Sequence, residues 1–226
     1  MKTLALILAM ASFPPSGGRD VFMRSEGMEI SEEGFSLIIK HEVGGAAYYN
    51  RYLSRPAYVS VQSGITIGIG YDLRYNSRAQ IQADWGDKLP SDTIARLQAV
   101  SGRAGTRAMA RSLQSIAIPY DIALDVFNRR TIPRFARLTV RAYPGVETLH
   151  PHIQSANLSW VFNRGAGISS TSRDIEKRLI RRDTPNHPER LPAHYRASKR
   201  IWLGKGLDGL LQRREDEARL VELGLR

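Results

Sequence analysis

The 226-residue sequence predicts an α+β fold, mostly helical, with one small early β-hairpin element lining a cleft. Three observations predict it. Ile65-Thr66-Ile67-Gly68-Ile69-Gly70-Tyr71-Asp72 alternates with the period of a strand, with Ile65, Ile67, Ile69 and Tyr71 on one face and Thr66, Gly68, Gly70 and Asp72 on the other. An amphipathic helical pattern precedes it and ends in His41-Glu42. After Tyr75 the patterning is helical for most of the remainder, and no internal repeat is visible.

Taken in order, the chain starts with Met1-Lys2-Thr3 and an apolar run to Met10-Ala11, one positive charge ahead of an Ala-x-Ala ending. These are the parts of a secretory signal, shorter than the usual ~15–30 residues and far short of the ~20 apolar residues that span a bilayer. An uncleaved tether, or a start at Met23 or Met28, are the alternatives. Residues 12–28 are rich in Gly, Pro and Ser and read as a linker, so 1–28 form a signal-like segment and linker, and 29–226 one domain.

Ser31 caps a helix whose first turn is acidic, Glu32-Glu33. Phe35, Ile38, Ile39 and Glu42 follow at i, i+3, i+4 and i+7, which sets Glu42 on or beside the buried stripe in the last turn, before Gly44-Gly45 ends the helix. Residues 46–64, with Tyr48, Tyr49, Tyr52, Pro56 and Tyr58, read as irregular or strand-like. The glycine-rich strand turns near Gly68–Gly70. Helices are expected from Ser91-Asp92 to about Val100, over 105–115, from Tyr120 to about Arg141 with a kink or break at Pro133, over the short buried run Ala156–Phe162, over Ser172–Arg181 and Ala193–Trp202, and from Leu207 to Leu223.

The formal net charge is +11 and the sequence pI about 10.2, which favours polyanionic partners: nucleic acid, anionic lipid or an acidic cell-wall polymer. No Walker loop, RNA-binding aromatic signature or Cys/His zinc spacing is present, and there are no cysteines, so no disulfides. A nucleic-acid binder rests on charge alone.

The helix ending in Glu42 and the segment Thr66-Ile67-Gly68-Ile69-Gly70 together resemble the phage-type lysozymes of glycoside hydrolase family 24 and their pesticin-like relatives, which carry a catalytic Glu at the end of a first helix and then a hairpin with Thr-Ile-Gly-x-Gly. Leu158-Ser159-Trp160-Val161-Phe162-Asn163-Arg164-Gly165 is similar to that family's buried helix with its Phe-Asn-x-Gly ending, and Gly206-Leu207 through Arg213-Arg214 and Glu217 to its terminal Gly-Leu-x-x-Arg-Arg-x-x-Glu helix. The resemblance covers roughly residues 30–223. It implies a lysozyme-like catalytic domain over 29–226 that cleaves the β-1,4 bond between N-acetylmuramic acid and N-acetylglucosamine in peptidoglycan, without metal or organic cofactor.

The chain departs from the family at one position. Such lysozymes place an Asp between the Glu and the Thr to orient water, and residues 43–65 here contain no Asp or Glu. Asp72 is the next carboxylate. On a straight strand it would lie ~20 Å from Thr66, whereas inverting glycosidases hold their carboxyl groups ~6.5–9.5 Å apart, so Asp72 serves only if the chain doubles back at Gly68–Gly70. The expected catalytic residues are therefore Glu42 as general acid, Thr66 and Asp72, with a sugar hydrogen bond or a turn cap as the other roles open to Asp72. For Glu42, partial burial against an apolar wall is expected to favour the protonated form. The expected substrate-binding residues are Gly68, Gly70, Tyr71, Asn163 and Arg164. His41 is expected at the surface, Trp202 in the core, and Arg213 and Arg214 in structural or surface roles.

Three further expectations follow. The single Glu42 also suits a lytic transglycosylase, in which the substrate's own hydroxyl attacks, and the missing Asp suits a non-catalytic wall-binding module. The implied partner is the peptidoglycan glycan strand, met by a monomer, with no specific nucleic acid and with transient inner-membrane contact through the N-terminal apolar segment. The implied location is the periplasm or the exterior, or the cytoplasm until release, as for a phage endolysin.

Overall fold

The computed structural model describes residues 21–226, and the signal-like run 1–11 lies outside them. The class is α+β, mostly helical with two small sheets rather than the one β element expected. The additional sheet is a hairpin, β1 (Met23–Ser25) paired antiparallel with β2 (Met28–Ile30), turning at Glu26-Gly27 where both φ are positive. Residues 23–28 are therefore not linker. Met28 and Ile30 are fully buried, and the Glu29 N–H donates to Gln154 Oε1 at 2.7 Å. The Gly, Pro and Ser that suggested a linker are concentrated at 12–18, upstream of this hairpin.

Helix α1 (Glu32–Val43) starts where expected, with Ser31 Oγ accepting from the Gly34 N–H at 3.1 Å, and ends at Gly44, whose φ of 64° only glycine adopts freely. The first part of the next segment is helical where irregular or strand-like chain is expected, and a strand follows only at Ala57–Tyr58. A short turn of helix, α2 (Ala46–Tyr48), runs into a π-helical turn, Tyr49–Leu53. Tyr49 anchors it: the ring is fully buried 5.3 Å from Tyr120, and its hydroxyl donates to the Ile118 carbonyl. Burial of one aromatic here outweighs local propensity.

Strands β3 (Ala57–Tyr58), β4 (Ile65–Ile67) and β5 (Tyr71–Asp72) form an antiparallel sheet in that order. The chain reverses at Gly68–Gly70 and brings Asp72 directly opposite Thr66, on the same face of the sheet. Ile65, Ile67, Ile69 and Tyr71 are all buried, as the alternation predicts.

Helices α3 (Arg78–Trp85), α4 (Ser91–Gln98), α5 (Arg107–Ser112) and α6 (Tyr120–Val126) close a core over this sheet. A π-turn, Phe127–Thr131, links α6 to α7 (Ile132–Ala142), with Pro133 in the first turn of α7. The break expected at Pro133 thus takes the form of a bulge just upstream, where the missing N–H costs nothing.

Helix α8 (Pro151–Arg164) is twice the expected length and is buried at every position from Pro151 to Val161. Leu158 joins the sheet-side core, while Ile153, Ala156, Trp160 and Val161 build a second core with α9 (Ile175–Asp183), α10 (Leu191–Ala197) and α11 (Asp208–Gly224). Helix α1 serves both cores, with Leu37 in the second and Ile38, Ile39 and Val43 in the first. Among the described residues, no helix is long and apolar enough to cross a membrane.

Candidate active site

The C-terminal ends of α1 and α8 meet the N-terminal end of α11 at a groove of about 490 Å³, lined by His41, Glu42, Phe162, Asn163, Asp208 and Arg213 among others. Helical spacing and the glycine stop of α1 place Glu42 at the groove, its side chain 30% exposed. The wall against it is a cation rather than the apolar surface expected: Arg213 Nη1 donates to Glu42 Oε1 at 2.7 Å.

Arg213 is itself held from behind. Its Nη2 donates to the Ser159 carbonyl at 2.8 Å, and its Nε lies 3.2 Å from Ser159 Oγ and 3.4 Å from Glu217 Oε1. Glu217 is fully buried and also accepts from Ser159 Oγ and from Arg214 Nη2. Burial pushes the Glu217 carboxyl above the usual carboxylate range, opposed by the two guanidinium groups, and lowers Arg214 to about 10. Arg214 lies against the rings of Trp160 and Trp202, at 4.6 and 5.5 Å. Trp202 is buried, the core position expected of it.

His41 is half-buried rather than at the open surface expected of it. It packs between α1 and α11 with Nε2 3.0 Å from Asp216 Oδ2, and Lys40 Nζ pairs with the same oxygen at 2.8 Å. Burial lowers the His41 pKa below its ordinary value, against the upward pull of the Asp216 hydrogen bond.

The hairpin residues sit elsewhere. Gly70 and Asp72, with Tyr71, line a second groove of about 590 Å³, faced by Asp84, Arg130, Arg134 and Phe135. The two grooves abut at one ring stack, because Phe162 of the first lies on Phe135 of the second with centroids 3.9 Å apart. Thr66 is half-buried and lines neither groove. The Asp72 carboxylate is engaged by backbone: Oδ1 accepts from Gly64 N–H at 2.9 Å and from Arg74 N–H at 2.8 Å, which ties the sheet to the following turn. The geometry gives it the turn-anchoring role among those open to it.

Three expected substrate contacts have structural partners instead. Gly68 is not a bare ledge, since a Cβ there would stand 2.8 Å from Trp85 Cη2; the small residue admits an indole, not a ligand. Tyr71 is buried edge-on to Trp85 and donates its hydroxyl to the buried Asp84 at 2.8 Å. Arg164 is 4% exposed and lies between Trp160 and Trp202, donating to the Arg173 carbonyl and to Asp174. Asn163 does face the Glu42 groove, and its Oδ1 is buried with no hydrogen-bond partner among the described residues.

Sequence reasoning missed Arg213, Asp208 and Phe135 as site residues. A signal existed for Arg213: Leu210, Arg213, Glu217 and Leu220 fall at i, i+3, i+7 and i+10, so the arginine lies on the apolar stripe of its helix. Among the described residues, no group of three His, Asp or Glu is placed to hold a metal ion. No protein-family model and no curated protein matches this chain.

Proposed function

We propose that the protein is a lysozyme-type glycosidase acting on peptidoglycan, with Glu42 as the general acid at the β-1,4 bond between N-acetylmuramic acid and N-acetylglucosamine. The observation that carries this reading is Glu42 itself: a groove carboxylate with one oxygen fixed by a buried arginine and the other accepting no hydrogen bond among the described residues. A catalytic acid needs that combination of fixed position and a free oxygen for the leaving group. The unpartnered Asn163 Oδ1 at the same groove suits an acetamido N–H. The glycan would run from the Gly70 groove past Phe135 and Phe162, the ring pair shared between the two grooves, to Glu42. The motif resemblance supports the same activity and a lysozyme-like fold.

Asp72 favours a second reading. With its carboxylate occupied by two backbone amides, the hairpin offers no free acid to activate water. A lytic transglycosylase needs none, because the C6 hydroxyl of the muramic residue attacks its own anomeric carbon. Asp208 at the rim of the Glu42 groove is the remaining carboxylate for the hydrolytic route. The test is release of soluble fragments from purified peptidoglycan by wild type and by Glu42→Gln, which keeps the shape and the Arg213 contact. Loss of ~10²–10⁴-fold is expected for the removal of a general acid. Equal release would end the proposal.

A further inference from the structure

A third groove, of about 600 Å³, lies between the segment 50–58 and α5, away from Glu42. Arg51 and Arg55 stand on one wall and Arg107 and Arg111 on the other, with Tyr52 and Tyr58 among the remaining lining. All four arginines are exposed. None of them has a carboxylate partner among the described residues; Arg55 alone is tethered, to the Gln114 carbonyl. The sequence explains the lack of partners. Both walls come from stretches without a single Asp or Glu, residues 43–71 and 93–120. Four exposed cations around one cleft sum to a positive potential that attracts an anion from outside.

Exposed residues next to the groove lining in the chain narrow the partner. Tyr48, Tyr52, Val59 and Val61 are 50%, 56%, 66% and 76% exposed, four of the large apolar residues that the described surface leaves in water, all within fourteen residues of chain. Tyr48 and Tyr52 rings lie 4.7 Å apart, and Arg51 sits 5.1 Å from the Tyr52 centroid. Val59 and Val61 follow Tyr58 by one and three residues, at most about 10 Å of chain. A soluble polyanion would require the arginines but not the valines. A bilayer surface requires both: arginine for lipid phosphates, tyrosine at the headgroup level and small aliphatic groups just beneath. We propose that this face, Arg51, Arg55, Arg107 and Arg111 with the neighbouring exposed Tyr48, Tyr52, Val59 and Val61, docks the protein on an anionic membrane surface.

The site is independent of the glycosidase reading, and Glu42→Gln should bind membranes as wild type does. The experiment is flotation of the full chain with vesicles of phosphatidylcholine alone and of phosphatidylcholine with one-third phosphatidylglycerol, alongside gel shift on duplex DNA. Three variants share the same N-terminal segment, so its contribution cancels: wild type, Arg51→Gln/Arg107→Gln/Arg111→Gln, and Val59→Ser/Val61→Ser. Loss of three membrane-facing arginines should lower partition onto anionic vesicles on the order of 100-fold. The valine pair should lower it severalfold and leave DNA retention unchanged. Wild-type partition should fall as salt rises from 0.05 to 0.5 M. Vesicle binding that survives the triple substitution, or that is indifferent to salt, overturns the proposal. Vesicle binding indifferent to the valines, with DNA held more tightly than vesicles, overturns it in favour of nucleic acid. Should the triple variant fail to fold, the salt series and the valine pair decide alone.

Discussion

Arg213 distributes its guanidinium nitrogens over three helices: Nη1 to Glu42 on α1, Nη2 to the Ser159 carbonyl on α8, and Nε towards Glu217 on its own helix. At 3% exposure, its removal would leave a fully buried Glu217 with less compensation and Glu42 with no fixed neighbour. Arg213→Ala should cost about 3 kcal/mol or more in urea unfolding, the usual cost of breaking a buried pair from one side. Arg213→Lys should recover part of that stability but not activity, because one ammonium cannot reach three separated acceptors in a fixed plane. Activity of the lysine variant at or near wild type would show that Arg213 does not position Glu42. Two more side chains illustrate what residue types alone conceal. Asp72 and Arg164 were sound candidates by charge and location in their motifs. Asp72 is half legible, because its bond to the Arg74 N–H two residues on is a local turn cap while the Gly64 amide needs the hairpin; the partners of Arg164, two indoles and Asp174, come from separate segments that no local pattern links.

At the scale of elements, the turn Gly68–Gly70 separates conformational need from steric need. Both end glycines have positive φ, 54° and 70°, but only Gly68 is roofed by Trp85, while Gly70 faces open space. Gly70→Ala should therefore cost about 1–2 kcal/mol from backbone strain alone, and Gly68→Ala about 2–5 kcal/mol with overpacking added. Thermal or urea melts that rank the two in reverse order would contradict the packing described. Helices α10 and α11 carry a second prediction. Hydrogen bonds from Arg196 and then Lys199 depress Glu215 to about 2 from its ordinary 4.5, against a smaller opposing effect of burial. Because the folded value lies below the unfolded one, the stabilisation is present above pH 4.5 and is lost as pH falls towards 2. The Tm difference between wild type and Glu215→Gln should be largest at pH 6 and vanish near pH 2; a difference constant across that range would remove the pairing from the account of stability.

Element existence was largely legible because it depends on local period and caps. Ser31 and Gly44 each specify their outcome within four residues of chain, and the alternation at 65–72 within eight. The misses are the elements fixed by remote contacts. The β1–β2 hairpin depends on α8, through Gln154, and the turn at 49–53 depends on Ile118 and Tyr120. The extra length of α8 was hidden by Pro151, His152 and Gln154, residues that read as a loop until a neighbour on every side buries them.

Over the whole molecule, two apolar cores share α1 and α8, and the Glu42 groove opens where those two helices end against α11. Placing a carboxylate at the junction of two cores gives it a rigid frame and an open side. The expected single cleft is instead a pair of grooves joined at Phe135–Phe162, a join that required tertiary contact between α7 and α8 and left no trace in the spacing of either helix. The net charge of +11 acts at this same scale. Adsorption to insoluble peptidoglycan, whose peptides carry carboxylates, should be shared by wild type and Glu42→Gln and should weaken as salt is raised from 0.05 to 0.5 M. Retention unaffected by salt would detach the charge from wall binding.

The most direct measurement is mass spectrometry of the soluble products from purified peptidoglycan, digested in parallel by wild type and Glu42→Gln. The account predicts disaccharide muropeptides from wild type, ending in reducing or in anhydro-muramic acid according to whether water or the C6 hydroxyl attacks, and at most a trace from the variant. Muropeptides in equal yield from both, or none from either while both sediment with the wall, would contradict it.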